Sequence, residues 1–206
     1  MRIGLLGGTF DPIHYGHLAV AEAALEDGGL DQVLMVPAGD PWQKTDRLVT
    51  PAAHRLEMVR LAVEGRPGLE VDDREVTRSG PTYTIDTLES FPATDRLFLI
   101  LGSDSALGIP SWHRWLEVLD RAGVIIVPRP GVTCDEAIEV LPDARCIEME
   151  PVSISATTIR QRIRDGEAVV DLVPLPVIDY IAAHHLYAKR GEDDMVVAPS
   201  DMEEPS

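Results

Sequence analysis

Cysteine is scarce in this chain of 206 residues: Cys134 and Cys146 are the only two. Two cysteines do not make the disulfide framework of a small secreted domain. Aromatic residues are also few, at 5%. No apolar stretch approaches the roughly 18 residues needed to cross a membrane as a helix. The order of a secretory leader, charged then apolar then small, is not read at the N-terminus. The expected setting is therefore the cytoplasm, with no membrane partner. Basic residues are outnumbered: 18 Lys and Arg face 35 Asp and Glu, a formal net charge of -17. A broad nucleic-acid surface needs clustered positive charge, so no nucleic-acid partner is expected. A small phosphate pocket needs only a few local donors and stays open. What is present in quantity is apolar residues, at 45%, enough for an ordinary core.

Residues 191–206 differ from the rest. They carry six acids, no base and two prolines. We expect a solvated, disordered tail there, with residues 1–190 as one domain. Within 1–190, short apolar runs alternate with helical patterns. Residues 3–6, 33–36, 97–101 and 124–127 read as strands, the last two as strands buried on both faces. Leu18, Ala21 and Leu25 recur at helical spacing, and Gly28-Gly29 is a stop. Thr50-Pro51 reads as a helix start, followed by Leu56, Val59 and Val63 on one face. Thr133 and Glu136 make a capping box, and Val177, Ile178 and Ile181 a last helix. This alternation predicts an α/β fold, a Rossmann-like, doubly wound and mostly parallel sheet with helices on both faces. Such sheets bind ligands at the carboxyl ends of their strands.

The loop after the first strand reads Gly7-Gly8-Thr9-Phe10-Asp11-Pro12-Ile13-His14-Tyr15-Gly16-His17. Glycines let backbone approach a ligand. A helix starting near His14 to His17 would offer free amides and a positive dipole end to phosphate. His14 and His17, three apart, share a helix face. Capping, packing or metal ligation are competing readings, the last weakened by the absence of His-Glu-x-x-His. The dinucleotide pattern Gly-x-Gly-x-x-Gly is also missing, which counts against an oxidoreductase. A second phosphate-type segment, Ser153-Ile154-Ser155-Ala156-Thr157-Thr158-Ile159-Arg160, precedes Arg162 and Arg164. Alone it could be a capped basic surface helix with Ser155 as N-cap and Gly166 as stop.

The first segment, Gly-Gly-Thr-Phe-Asp-Pro-Ile-His-x-Gly-His, resembles the signature of the nucleotidyltransferase superfamily. The second, Ser-x-Thr-x-Ile-Arg, resembles that superfamily's other signature. Three further segments narrow the resemblance. Residues 81–88 (Pro-Thr-Tyr-Thr-Ile-Asp-Thr-Leu) could be only a helix start. Gly102-Ser103-Asp104 could suit a ribose or a cap. Trp112-His113-Arg114-Trp115 offers two indoles, for stacking or for the core. Together they look like the nicotinate-nucleotide adenylyltransferase family of NAD biosynthesis, over residues 1 to about 188.

The resemblance implies an enzyme that transfers adenylyl from ATP to nicotinate mononucleotide, giving deamido-NAD and pyrophosphate. It implies that His14 and His17 hold the ATP phosphates, with Gly8, Thr9 and Phe10 along the nucleotide. It implies that Gly102 and Asp104 meet adenosine, and that Ser155, Thr157 and Arg160 close on the triphosphate. Thr84 and the backbone near His113 would receive the nicotinate carboxylate, with Trp112 stacked on the ring and Arg129 on the mononucleotide phosphate. Lys44 matches the family lysine after the second strand, although Pro41-Trp42-Gln43-Lys44 stands where Pro-Pro-His-Lys is common. His14, His17, Lys44 and Arg160 are the catalytic candidates. Magnesium would ride on the ATP phosphates, with no protein metal ligand. A homo-oligomer is left open. The rival readings are acceptance of nicotinamide mononucleotide or phosphopantetheine, or a non-catalytic nucleotide sensor. The phosphopantetheine branch has Thr-x-Gly-His where this chain has His14-x-Gly-His17.

Overall fold

The computed structural model describes residues 1–39, 49–150 and 153–188. Lys44, with Pro41, Trp42 and Gln43, lies outside them, as does the acidic segment 191–206.

Six strands form one all-parallel sheet in the order β3-β2-β1-β4-β5-β6. They are β1 (Arg2–Gly8), β2 (Gln32–Pro37), β3 (Leu69–Val71), β4 (Arg96–Gly102), β5 (Ala122–Val127) and β6 (Arg145–Cys146). The central strands alternate their side chains between two cores, as a sheet covered on both faces requires. Leu6, Ile100, Ile125 and Val127 enter one core with Leu18 and Ala21 of α1 (Tyr15–Asp27) and Met58 and Val59 of α2 (Ala52–Val63). Ile159 of α8 (Ala156–Arg164) and Val177 of α9 (Leu175–Ala183) complete that side. Ile3, Leu5, Leu97 and Leu99 face Ile85 and Leu88 of α4 (Thr84–Glu89) and Val118 of α6 (Trp115–Arg121). Val124 and Ile126 meet Ala106 of α5 (Ser103–Leu107) and Ala137 of α7 (Cys134–Val140).

Local signals explain most boundaries. Gly28 caps α1, and Gly29 takes φ 62, where a Cβ would be strained. The Thr133–Glu136 capping box forms as the sequence predicts. Thr50 does not cap α2; the cap position is Pro51, and the Thr50 carbonyl instead accepts from Arg55 Nε at 2.8 Å. β3 and the single-turn α3 (Arg74–Thr77) were not anticipated, being too short for a periodic signal. The two cysteines, too few for a framework, do meet: Cys134 and Cys146 are joined in a disulfide with their Cα atoms 6.1 Å apart.

The strand order reverses beside β1, whose neighbours are β2 and β4. The loops at the carboxyl ends of β1 and β4 therefore diverge and leave a crevice. Arg55, 1% exposed, braces one side of it. Its Nη1 donates to the Thr9 carbonyl and its Nη2 to the Gly39 carbonyl, each at 2.7 Å. One guanidinium thus joins the β1 loop, the end of β2 and the start of α2. Replacing it with an apolar side chain strands three carbonyls, at a cost of about 3 kcal/mol. We expect Arg55→Leu to lower the Tm by roughly 6–12 °C, a range typical for a chain of this size. A calorimetric scan within 2 °C of wild type would show that water replaces those bonds.

Candidate active site

β1 delivers Gly7 and Gly8 to the crevice, and the chain then turns sharply at Phe10, whose φ is 49. A bulky residue in the left-handed region is strained, by roughly 1–3 kcal/mol, and needs its surroundings to hold it. Here the Phe10 ring is 2% exposed and fills the space under Gly8, where an added Cβ would sit 3.0 Å from it. The ring also meets His17 edge-on, centroids 4.9 Å apart. Phe10 thus props the loop from below.

His14 and His17 stack with ring centroids 3.7 Å apart. The His14 amide donates to His17 Nδ1 at 3.3 Å, so the proton of the neutral His17 ring sits on Nε2. His14 Nδ1 is buried and has no hydrogen-bond partner among the described residues. Such an orphan suits a ligand that supplies the missing bond. The helix start itself offers less than the sequence suggests. The Tyr15 amide already bonds the Leu172 carbonyl at 2.9 Å, and the His17 amide bonds that of His14 at 2.9 Å. Side chains, more than free amides, carry the anion-binding capacity of this end of α1.

These groups line a cavity of about 300 Å³ with Thr9, Phe10, Asp11, Arg129, Ser155, Thr157 and Arg160. The two sequence signatures, some 140 residues apart, therefore converge. Arg160 donates through Nη2 to Thr157 Oγ1 at 3.1 Å and through Nη1 to the Asp11 carbonyl. Ser155 sits at the N-cap of α8, but its side chain makes no capping bond and is exposed toward the cavity. A larger cavity, about 690 Å³, opens beside it and shares Thr9. Gly8, Thr84, Trp112 and His113 line it, with Tyr83 and Glu75. The Tyr83 and His113 rings lie 4.4 Å apart.

Some residues fall elsewhere than the sequence suggests. Arg129 belongs to the histidine cavity and not to the one holding Trp112. Gly102 and Asp104 line neither; they adjoin Arg129, and a Cβ at Gly102 would lie 2.6 Å from Asp104 Oδ1 and 2.9 Å from Arg129 Cγ. Glu75 and Arg55 escaped the sequence reading. Glu75 accepts a hydrogen bond from Thr87 Oγ1 at 2.7 Å, and burial pushes its carboxyl above the ordinary range.

The cytidylyltransferase-like family matches residues 5–162. A protein of Dehalococcoides mccartyi named "Probable nicotinate-nucleotide adenylyltransferase" is 40% identical over 201 residues, covering 92% of this chain and 98% of its own. One of the same name from Saccharopolyspora erythraea is 44% identical over 198 residues, covering 94% and 92%. The chain belongs to the nicotinate-nucleotide adenylyltransferase family. The solved nicotinic acid mononucleotide adenylyltransferase of Plasmodium falciparum, complexed with NaAD, shares the fold with a TM-score of 0.76. It is 22% identical and covers 90% of this chain and 97% of its own. Among the described residues, no helix is long and apolar enough to cross a membrane.

In this family member burial disfavours the cationic form of both histidines. Burial first, and then the Arg129 guanidinium, push the His14 pKa down from 6.5 to about 4. Burial, His14 and Arg129 likewise hold His17 well below its ordinary value. The unfolded chain then binds more protons than the folded one between about pH 6.5 and 4. Stability must fall as pH drops through that window, by roughly 3 kcal/mol from His14 alone. Urea unfolding of wild type and His14→Ala across this range should show the steeper acid loss in wild type. Parallel profiles would contradict a neutral, buried His14.

Proposed function

We propose that the histidine cavity holds the ATP triphosphate and that the larger cavity holds nicotinate mononucleotide. The observation that carries this reading is the meeting of both cavities at Thr9. The family reaction, adenylyl transfer from ATP to nicotinate mononucleotide, gives deamido-NAD and pyrophosphate. It requires two phosphate groups to touch, and the shared wall is where they would. The mononucleotide phosphate is already an anionic nucleophile. It attacks the α-phosphorus in line and pyrophosphate leaves, so no covalent enzyme intermediate is needed.

Catalysis is then positioning and charge stabilisation. His17 donates from Nε2 to the phosphate chain, as its tautomer allows. His14 satisfies its stranded nitrogen on the ligand, and polyanion binding draws both imidazoles toward protonation. Arg160 and Arg129 supply fixed positive charge on either side, with the Ser155 and Thr157 hydroxyls as further donors. Lys44 would add a cation from the stretch of sequence that follows β2. In the larger cavity Trp112 stacks on the pyridine ring, and Thr84 with the His113 backbone accepts its carboxylate. Gly102 and Asp104, beside Arg129, face the adenosine side.

The histidine cavity offers N–H and O–H donors from Arg129, Arg160, Ser155 and Thr157, which suit oxygen anions, with Asp11 as the one carboxylate in its wall. Among the described residues no three His, Cys, Asp or Glu converge as an ion site. In this reading magnesium rides on the ATP phosphates as part of the substrate. We place the activity in the cytoplasm, where ATP is available, and take residues 1–190 as the working unit.

Pyrophosphate release with MgATP should be fast with nicotinate mononucleotide and slower with nicotinamide mononucleotide or phosphopantetheine. Release with none of the three would leave only a nucleotide sensor. His17→Ala should lower kcat by roughly 100-fold or more, the usual cost of one preorganised donor; near-normal turnover would remove His17 from the chemistry. Trp112→Ala should raise the KM for the mononucleotide about threefold to tenfold, the worth of an aromatic stack. An unchanged KM at saturating ATP would place the ring elsewhere.

A further inference from the structure

A carboxylate in the wall of a polyphosphate pocket is a liability, and Asp11 is one. It is 6% exposed, lines the histidine cavity and faces Arg160, the guanidinium assigned above to the triphosphate. A carboxylate that gripped Arg160 directly would compete with phosphate for it. The structure shows a looser relation. Asp11 Oδ2 stands 3.9 Å from Arg160 Nη1, within ion-pair range but beyond a hydrogen bond. Arg160 bonds the Asp11 backbone carbonyl and Thr157 Oγ1 instead.

What engages the carboxylate is Tyr187, from a segment that neither signature includes. Its hydroxyl donates to Asp11 Oδ1 at 2.7 Å. Tyr187 follows α9 with φ 63 and packs against the core that contains Phe10 and Leu18. Thr50 bonds the same hydroxyl, and Arg55 lies close by. Burial and the neighbouring Asp11 hold the phenol far above its ordinary pKa, so it remains a donor at any working pH.

We propose that the Tyr187 hydroxyl restrains the Asp11 carboxylate away from Arg160, and so keeps the guanidinium for the phosphate chain of ATP. Tyr187 is thus a positioning residue acting through Asp11. The inference rests on the adenylyl-transfer reading. Its test is steady-state kinetics of wild type, Tyr187→Phe, Asp11→Asn and the double variant, with MgATP and nicotinate mononucleotide varied separately. Tyr187→Phe keeps the ring and its packing. It should raise the KM for ATP about fivefold, the worth of one hydrogen bond, and leave the KM for the mononucleotide within about twofold. Adding Asp11→Asn removes the charge that needs restraint and should bring the ATP KM back toward wild type. A merely structural hydroxyl would shift both KM values and the Tm together, with no rescue.

A folded Tyr187→Phe with an unchanged ATP KM overturns the proposal, as does a double variant no better than the single. Should Tyr187→Phe not fold, Asp11→Asn alone decides. An ATP KM below wild type supports competition for Arg160, and a several-fold rise refutes it. Wild type inactive with both substrates would instead sink the adenylyl-transfer reading, and this inference with it.

Discussion

Repulsion between two phosphate-bearing substrates is the constraint around which this molecule is arranged. The problem is sharper because the chain itself is acidic, with a formal net charge of -17. The answer is local. Two imidazoles, two guanidinium groups and three hydroxyl side chains are collected at the point where the strand order reverses. The fold contributes by bringing chain ends together: β1 and α1 supply the histidines, and α8, packed on the same side of the sheet, supplies Arg160.

Holding such groups partly buried has an electrostatic consequence. Burial favours neutral imidazole, so the site stores less positive charge than its composition suggests. Neutral imidazoles stacked 3.7 Å apart avoid the repulsion that two imidazolium rings would impose on each other and on the nearby Arg129.

The sheet and its two covered faces were legible because buried parallel strands leave continuous apolar runs, as at residues 97–101 and 124–127. The two segments that meet at the histidine cavity stood out because glycine, histidine, serine and arginine are unusual together at helix starts. Other features had no local signal. β3 and α3 are too short for a period to show. Arg55 reads as a polar position beside Leu56 and Val59; only the folded loops around it make its burial tolerable. Tyr187 is one tyrosine beside Leu186, and its link to Asp11 spans 176 positions. The assignment of Arg129 to the mononucleotide came from the resemblance. In space it sits with the histidines, against Gly102 and Asp104. Residues 41–44, where the chain departs from the family pattern, lie outside the described residues.

The sheet ends in strands of only three residues (β3) and two residues (β6). An outermost strand exposes unpaired amides and carbonyls that could recruit another chain by main-chain bonding. Margins this brief offer little template for such growth. A chain that must keep five contiguous parallel pairings in register thereby gains resistance to edge-to-edge aggregation, independently of anything at its crevice.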